Sequence, residues 1–179
     1  VYDLSVDAFG RESTLKVSSF KVQLGADSVT LDRGRTYLIY EKRMERTACI
    51  AQDLADSGSE ILCVTRLHPE LAAERLLVSA AESVWLSERP GAQNVPPDQL
   101  GRLYQKISMF LEDRKDGVVL LEGVEYLCLF NDFNRVLITI ERINDLVMSS
   151  QAVLLMPIDP PSLDPRSLAR LRRSAEVVQ

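Results

Sequence analysis

A chain of 179 residues with 46% apolar side chains is long enough for one globular domain with a real core, and its net charge of -5 argues against a general binder of nucleic acid or anionic membrane. No apolar run approaches the roughly 20 residues that span a bilayer, so membrane insertion of this segment is not expected. Cys49, Cys63 and Cys128 are an odd, widely spaced set, which argues against a disulfide framework or zinc site and predicts reduced core residues.

Period-two alternation at Leu15 and Val17, and again at Phe20, Val22 and Leu24, predicts short strands with one wet face, punctuated by Gly10 and Gly25. Residues 1–33 therefore read as a β-rich extension or the end of a preceding domain, and residues 34–179 as the main unit. Val1 in place of methionine fits a piece of a longer protein or a processed chain. No signal-peptide pattern is read at its start, and a cytoplasmic location is expected.

From Arg35 onward, short apolar strands alternate with amphipathic helices. Strands are predicted at Thr36–Tyr40, Ile61–Thr65, Ser83–Leu86, Val118–Leu121 and Ala152–Met156, the last one closed by Pro157. Helices are predicted over Thr47–Ser57, from Pro69 to about Leu76, and from about Phe133 to Ser149. A further helix follows Pro96 and Pro97, with Asp98 in its first turn and an apolar stripe at Leu100, Leu103, Tyr104, Ile107, Phe110 and Leu111. Asp164 is expected to cap a last helix reaching about Ala175. Ser87–Pro97 reads as a loop. Short, wholly apolar strands separated by helices predict a three-layer α/β domain with a mostly parallel sheet.

The run Val118–Leu121 ends on Glu122, as does the strand of a nucleotide-hydrolysing α/β domain whose carboxylate holds magnesium. The matching phosphate loop is missing. Laid over GxxGxGK[ST], Tyr40–Thr47 puts Arg46 and Thr47 where Lys and Ser/Thr belong, but Tyr40, Arg43 and Glu45 stand at the glycine positions. Glu41 and Glu45 would repel a triphosphate. The plain reading is a solvated turn leading into a helix.

Thr65 and Arg66 end a strand placed beside Glu122. Ligands of open α/β sheets bind at such carboxyl ends, whereas an Arg66–Glu122 ion pair would simply lock two strand ends together. Glu125, one turn on, could accept a proton or cap a helix. His68 precedes Pro69 and reads as a surface or capping residue. Trp85 reads as a core or loop anchor. Arg166, Arg170, Arg172 and Arg173 form a solvated face or a contact for an acidic partner.

Together these residues resemble the domain-of-unknown-function 835 family, found largely in archaea, over roughly residues 34–171. The resemblance rests on Gly34, Tyr37-Leu38-Ile39 and Glu41; Thr65-Arg66 and Pro69; Trp85-Leu86-Ser87; Pro97 and Leu100; Val118 to Gly123 with Glu125-Tyr126-Leu127; Asn131 and Phe133; and Pro157, Asp159, Pro160, Leu163 and Asp164. The family usually has Asp at Glu122, and often a proline shortly after Glu41. The family looks like a degenerate relative of KaiC and RecA ATPases, one that has lost its phosphate loop. The resemblance implies the strand order 36–40, 152–156, 118–121, 61–65, with 83–86 at the edge. It also implies a non-catalytic signalling or interaction domain, a pseudo-ATPase with no cofactor, working through a protein partner or self-association. The alternative is a residual nucleotide or small-ligand sensor using Glu41, Arg66, Glu122 and Glu125, with Arg46 and Thr47 on phosphate. No triad supports a hydrolase.

Overall fold

The computed structural model describes residues 4–6, 12–14, 19–24, 27–76 and 82–178. The expected strand at Leu15 and Val17, and the breaks at Gly10 and Gly25, lie outside them. Strands β1 (Leu4–Val6) and β2 (Glu12–Thr14) pair antiparallel, as do β3 (Ser19–Leu24) and β4 (Asp27–Asp32). The main unit then runs β5 (Arg35–Tyr40), α1 (Glu45–Asp56), β6 (Ile61–Thr65), α2 (Pro69–Leu76), β7 (Glu82–Leu86) and β8 (Asn94–Val95). It continues with α3 (Leu100–Asp113), β9 (Val118–Leu121), α4 (Val124–Phe130), α5 (Phe133–Met148), β10 (Val153–Ile158), α6 (Pro165–Leu171) and β11 (Glu176–Val178).

Seven strands form one parallel sheet in the order β11-β5-β10-β9-β6-β7-β8. Alternation along each strand divides its side chains between two cores. In β10, Val153 and Leu155 point to the layer of α1, while Leu154, Met156 and Ile158 point to the layer of α3 and α5. Both faces are thus covered, which is why these strands read as continuous apolar runs. The β3–β4 hairpin adds Val22 and Leu31 to the α1 side, both essentially inaccessible. Arg33, just after it, donates to the carbonyls of Asp116 (2.6 Å) and Gln151 (3.0 Å) and to Ser59 Oγ (3.0 Å), tying loops at the amino ends of the strands.

The expected order from 36–40 through 83–86 is present, with four corrections. Strand 83–86 is not the edge, because β8 pairs with β7 from inside the predicted Ser87–Pro97 loop. A further strand, β11, pairs with β5 beyond α6, which stops at Leu171 and not near Ala175. Asp98 lies in a turn before α3, whose flanking residue is Gln99. Pro157 does not close β10 but sits inside it. Val153 N–H bonds toward β9 and the Ile158 carbonyl accepts from Glu41 N on the β5 side, so the Pro157 nitrogen faces the β9 side. The pairing with β9 ends at Leu155, so the missing N–H breaks no ladder bond.

Asp164 caps α6, accepting from the N–H groups of Arg166 and Ser167 (both 3.0 Å). Two of the nearby arginines are used within the chain. Arg170 bonds Asn134 Oδ1 (2.5 Å), and Arg172 bonds the Tyr40 hydroxyl and lies over its ring.

Candidate functional site

The carboxyl ends of the central strands border a cleft of about 410 Å³. Its position follows from the topology. From β5 and β6 the chain turns to helices on one face, α1 and α2. From β9 and β10 it turns to α4 and α6 on the other. Where adjacent strands send their connections apart, a crevice opens outside the strand ends. Glu41, Arg66, Glu122 and Glu125 all line it; Arg46 and Thr47 do not.

Each of the three glutamates is held by the fold. Glu122 Oε2 accepts from the Thr65 hydroxyl (2.7 Å) and Arg66 N–H (2.9 Å), and Oε1 accepts from Arg66 Nε (3.2 Å). The ion pair therefore forms, joining the ends of β6 and β9. Thr65 Oγ1 in turn accepts from Leu67 N–H (2.9 Å), and Trp85 Nε1 donates to the Arg66 carbonyl (3.1 Å). Trp85 thus anchors the β6–α2 loop, with His68 edge-on to its ring at 5.0 Å. Gly123, with φ of 107°, turns the chain from β9 into α4 in a left-handed conformation that side chains with a Cβ resist.

Glu125 is a brace. Its Oε1 accepts from Asp159 N–H (2.9 Å) and from the Ser162 hydroxyl (3.1 Å), fixing the turn after β10. Asn131 does the same for the loop before α3, its Nδ2 donating to the Pro97 carbonyl (2.8 Å).

Glu41 sits at the start of α1. The first amides of a helix lack internal partners and carry a partial positive charge, so they attract anions. Here the anion comes from the chain itself. Glu41 accepts from Arg46 N–H (2.9 Å), from Thr47 N–H (3.0 Å) and from the Thr47 hydroxyl. The residue flanking the helix is Met44, which supplies no side-chain cap. Glu41 therefore occupies the place at which a phosphate loop would present the same donors to a phosphate.

Sequence reasoning missed Lys42, Arg43, Tyr126, Leu129, Asp159 and Ser162 as cleft residues. The adjacent Glu41 and Glu125 drew attention to themselves as titratable groups. The apolar members gave no chemical signal, although the helical spacing of Tyr126 and Leu129 put them on one side of α4. Among the described residues, no group of three His, Cys, Asp or Glu side chains is placed to hold a metal ion.

Of the three expected core cysteines, Cys63 is buried and Cys128 half-buried, but Cys49 is exposed on α1. Burial, then the nearby Glu122, pushes the Cys63 thiol up to about 12; burial, then Glu125, pushes Cys128 up to about 11. Both therefore hold their protons at neutral pH and are poor nucleophiles. A disulfide reagent at pH 8 is expected to titrate Cys49 rapidly in the folded protein and the other two only after denaturation. Three equally fast thiols would contradict these placements.

The model of a family described as "Protein of unknown function (DUF835)" matches residues 40–174. The chain belongs to this family. The DUF835 match covers all residues lining the cleft and ends just past α6. Among solved structures, a KaiC-like protein from the hyperthermophilic archaeon Pyrococcus horikoshii OT3 is similar at a TM-score of 0.58. It is 12% identical, and the alignment covers 82% of this chain and 72% of that one. At that identity the likeness shows that the DUF835 chain has a KaiC-like, RecA-type fold. No curated protein matches the sequence. No helix among the described residues is long and apolar enough to cross a membrane.

Proposed function

We propose that this domain is a non-catalytic interaction or signalling module, built on an ATPase-like fold whose phosphate loop has been lost. The observation that carries this reading is the Glu41 carboxylate on the first donors of α1. In an ATPase those donors and the strand-end carboxylate would serve phosphate and magnesium. Here both sets are joined to partners within the chain. Glu122, at the end of β9, spends its oxygens on Thr65 and Arg66. On this reading these carboxylates hold loops in place and take no part in phosphoryl transfer. On this reading the domain works in the cytoplasm through a protein partner or a second copy of itself, residues 34–179 forming the working unit.

A second reading, a small-ligand sensor, is favoured by the cleft itself. Its size falls within the range of small-molecule sites.

The expected result in a phosphate-release assay with ATP and magnesium is a rate no higher than buffer, unchanged in Glu122→Gln. Magnesium-dependent turnover abolished by that substitution would overturn the proposal.

A further inference from the structure

The geometry points to the cleft as a binding site for a small organic monoanion with an aromatic or apolar body, held between a cationic lip and an apolar one. The inference rests on the reading that the cleft glutamates serve the fold. Each of those glutamates already accepts donors of its own chain, which ties it to the fold. What remains for a ligand is different.

On one side stand Lys42 and Arg43, both exposed, their side chains with no hydrogen-bond or ion-pair partner among the described residues. They lie in the β5–α1 turn. Across the end of β10, α4 contributes Tyr126 and Leu129. Leu129 is 78% exposed, the most exposed large apolar side chain among the described residues. Tyr126 meets Phe130 edge-on at 5.1 Å and lines the cleft together with that leucine. An exposed leucine alone is ordinary. One that shares a cleft with an oriented ring and two unpaired cations has a use.

Charge selects the ligand class. The lining holds three cations, Lys42, Arg43 and Arg66, against four carboxylates, Glu41, Glu122, Glu125 and Asp159. A polyphosphate entering it would meet a formally negative cleft, and the helix donors that might offset this are taken. A single carboxylate or sulfonate can sit on the outer pair alone. The rest of the molecule then covers Leu129 and stacks on Tyr126, where apolar area removed from water adds about 25 cal/mol per Å².

The test uses 8-anilinonaphthalene-1-sulfonate, an aromatic monoanion that fluoresces when its rings leave water. Saturable binding of one molecule per chain is expected, displaced by phenylacetate and not by inorganic phosphate. The double variant Lys42→Glu/Arg43→Glu and the single variant Leu129→Ser should each weaken it about tenfold. Ile138→Ser and Met109→Ser are exposed apolar controls elsewhere, at 59% and 57% exposure, and should leave it unchanged. All four are surface changes, and an unchanged melting temperature confirms that each folds. Absence of saturable binding, or equal loss in the controls, overturns the proposal. Neither result bears on ATP hydrolysis, so the non-catalytic reading stands or falls separately.

Discussion

Glu122→Ala is expected to lower folding stability by about 3 kcal/mol, the sum of two orphaned donors at about 1–3 kcal/mol each with partial relief by water. The Thr65 side chain is fully buried, and its hydroxyl bonds Glu122 Oε2 at 2.7 Å. Arg66 N–H bonds the same oxygen at 2.9 Å. Removing the carboxylate leaves both without an acceptor. The guanidinium contact adds little, because the Arg66 side chain is 59% exposed and screened by water. In a domain of this size the loss corresponds to a fall of roughly 6–12 °C in Tm. Glu122→Gln retains one oxygen for these donors and should cost clearly less. Equal stability of wild type and Glu122→Ala in urea denaturation would show that the carboxylate is not structural.

Glu41→Ala is expected to cost about 2 kcal/mol, the upper range for loss of a helix cap. Three donors lose their acceptor together, and one of them, the Thr47 hydroxyl, belongs to a residue with no exposed surface. Glu41→Asp keeps the charge but shortens the reach, so it should fall between wild type and alanine. A circular-dichroism melt on the three proteins checks the ranking. If alanine matches wild type, Glu41 is a surface carboxylate and the phosphate position is open.

The sheet was legible because its five central strands are apolar runs of four to six residues, each bounded by a helix or a turn. Periodicity suffices for such elements, and the family resemblance supplied their order. The outer strands were not legible. Asn94–Val95 spans two residues inside a stretch rich in proline, glycine and asparagine, too short for any alternation to register. Glu176–Val178 lies past a helix whose arginine-rich end gave no signal for a strand. Pro157 misled because its missing N–H matters only where a neighbour is present to accept it, and that depends on β9 being shorter than β10.

At the site, residue type and the strand-end rule located Glu41, Arg66, Glu122 and Glu125. They did not reveal what each carboxylate bonds. Glu41 caps a helix from five and six residues upstream, a separation set by the bend of Glu41–Met44 and invisible in linear spacing. A clue did exist, since Met44 at the helix start is a poor cap and the nearest oxygen-bearing side chain before it is Glu41. Leu129 and Tyr126 could have been placed on the cleft only with α4 known to start at Val124 immediately after Gly123.

The central claim is that the donors and carboxylates of an ATPase-like strand end are here bonded to one another and leave no place for a nucleotide. Thermal melting with ATP, with and without magnesium, tests it most directly. The account predicts an unchanged Tm across the titration. A saturable rise would contradict it: at 100 times its dissociation constant a bound ligand adds about 2.7 kcal/mol, several degrees for this domain.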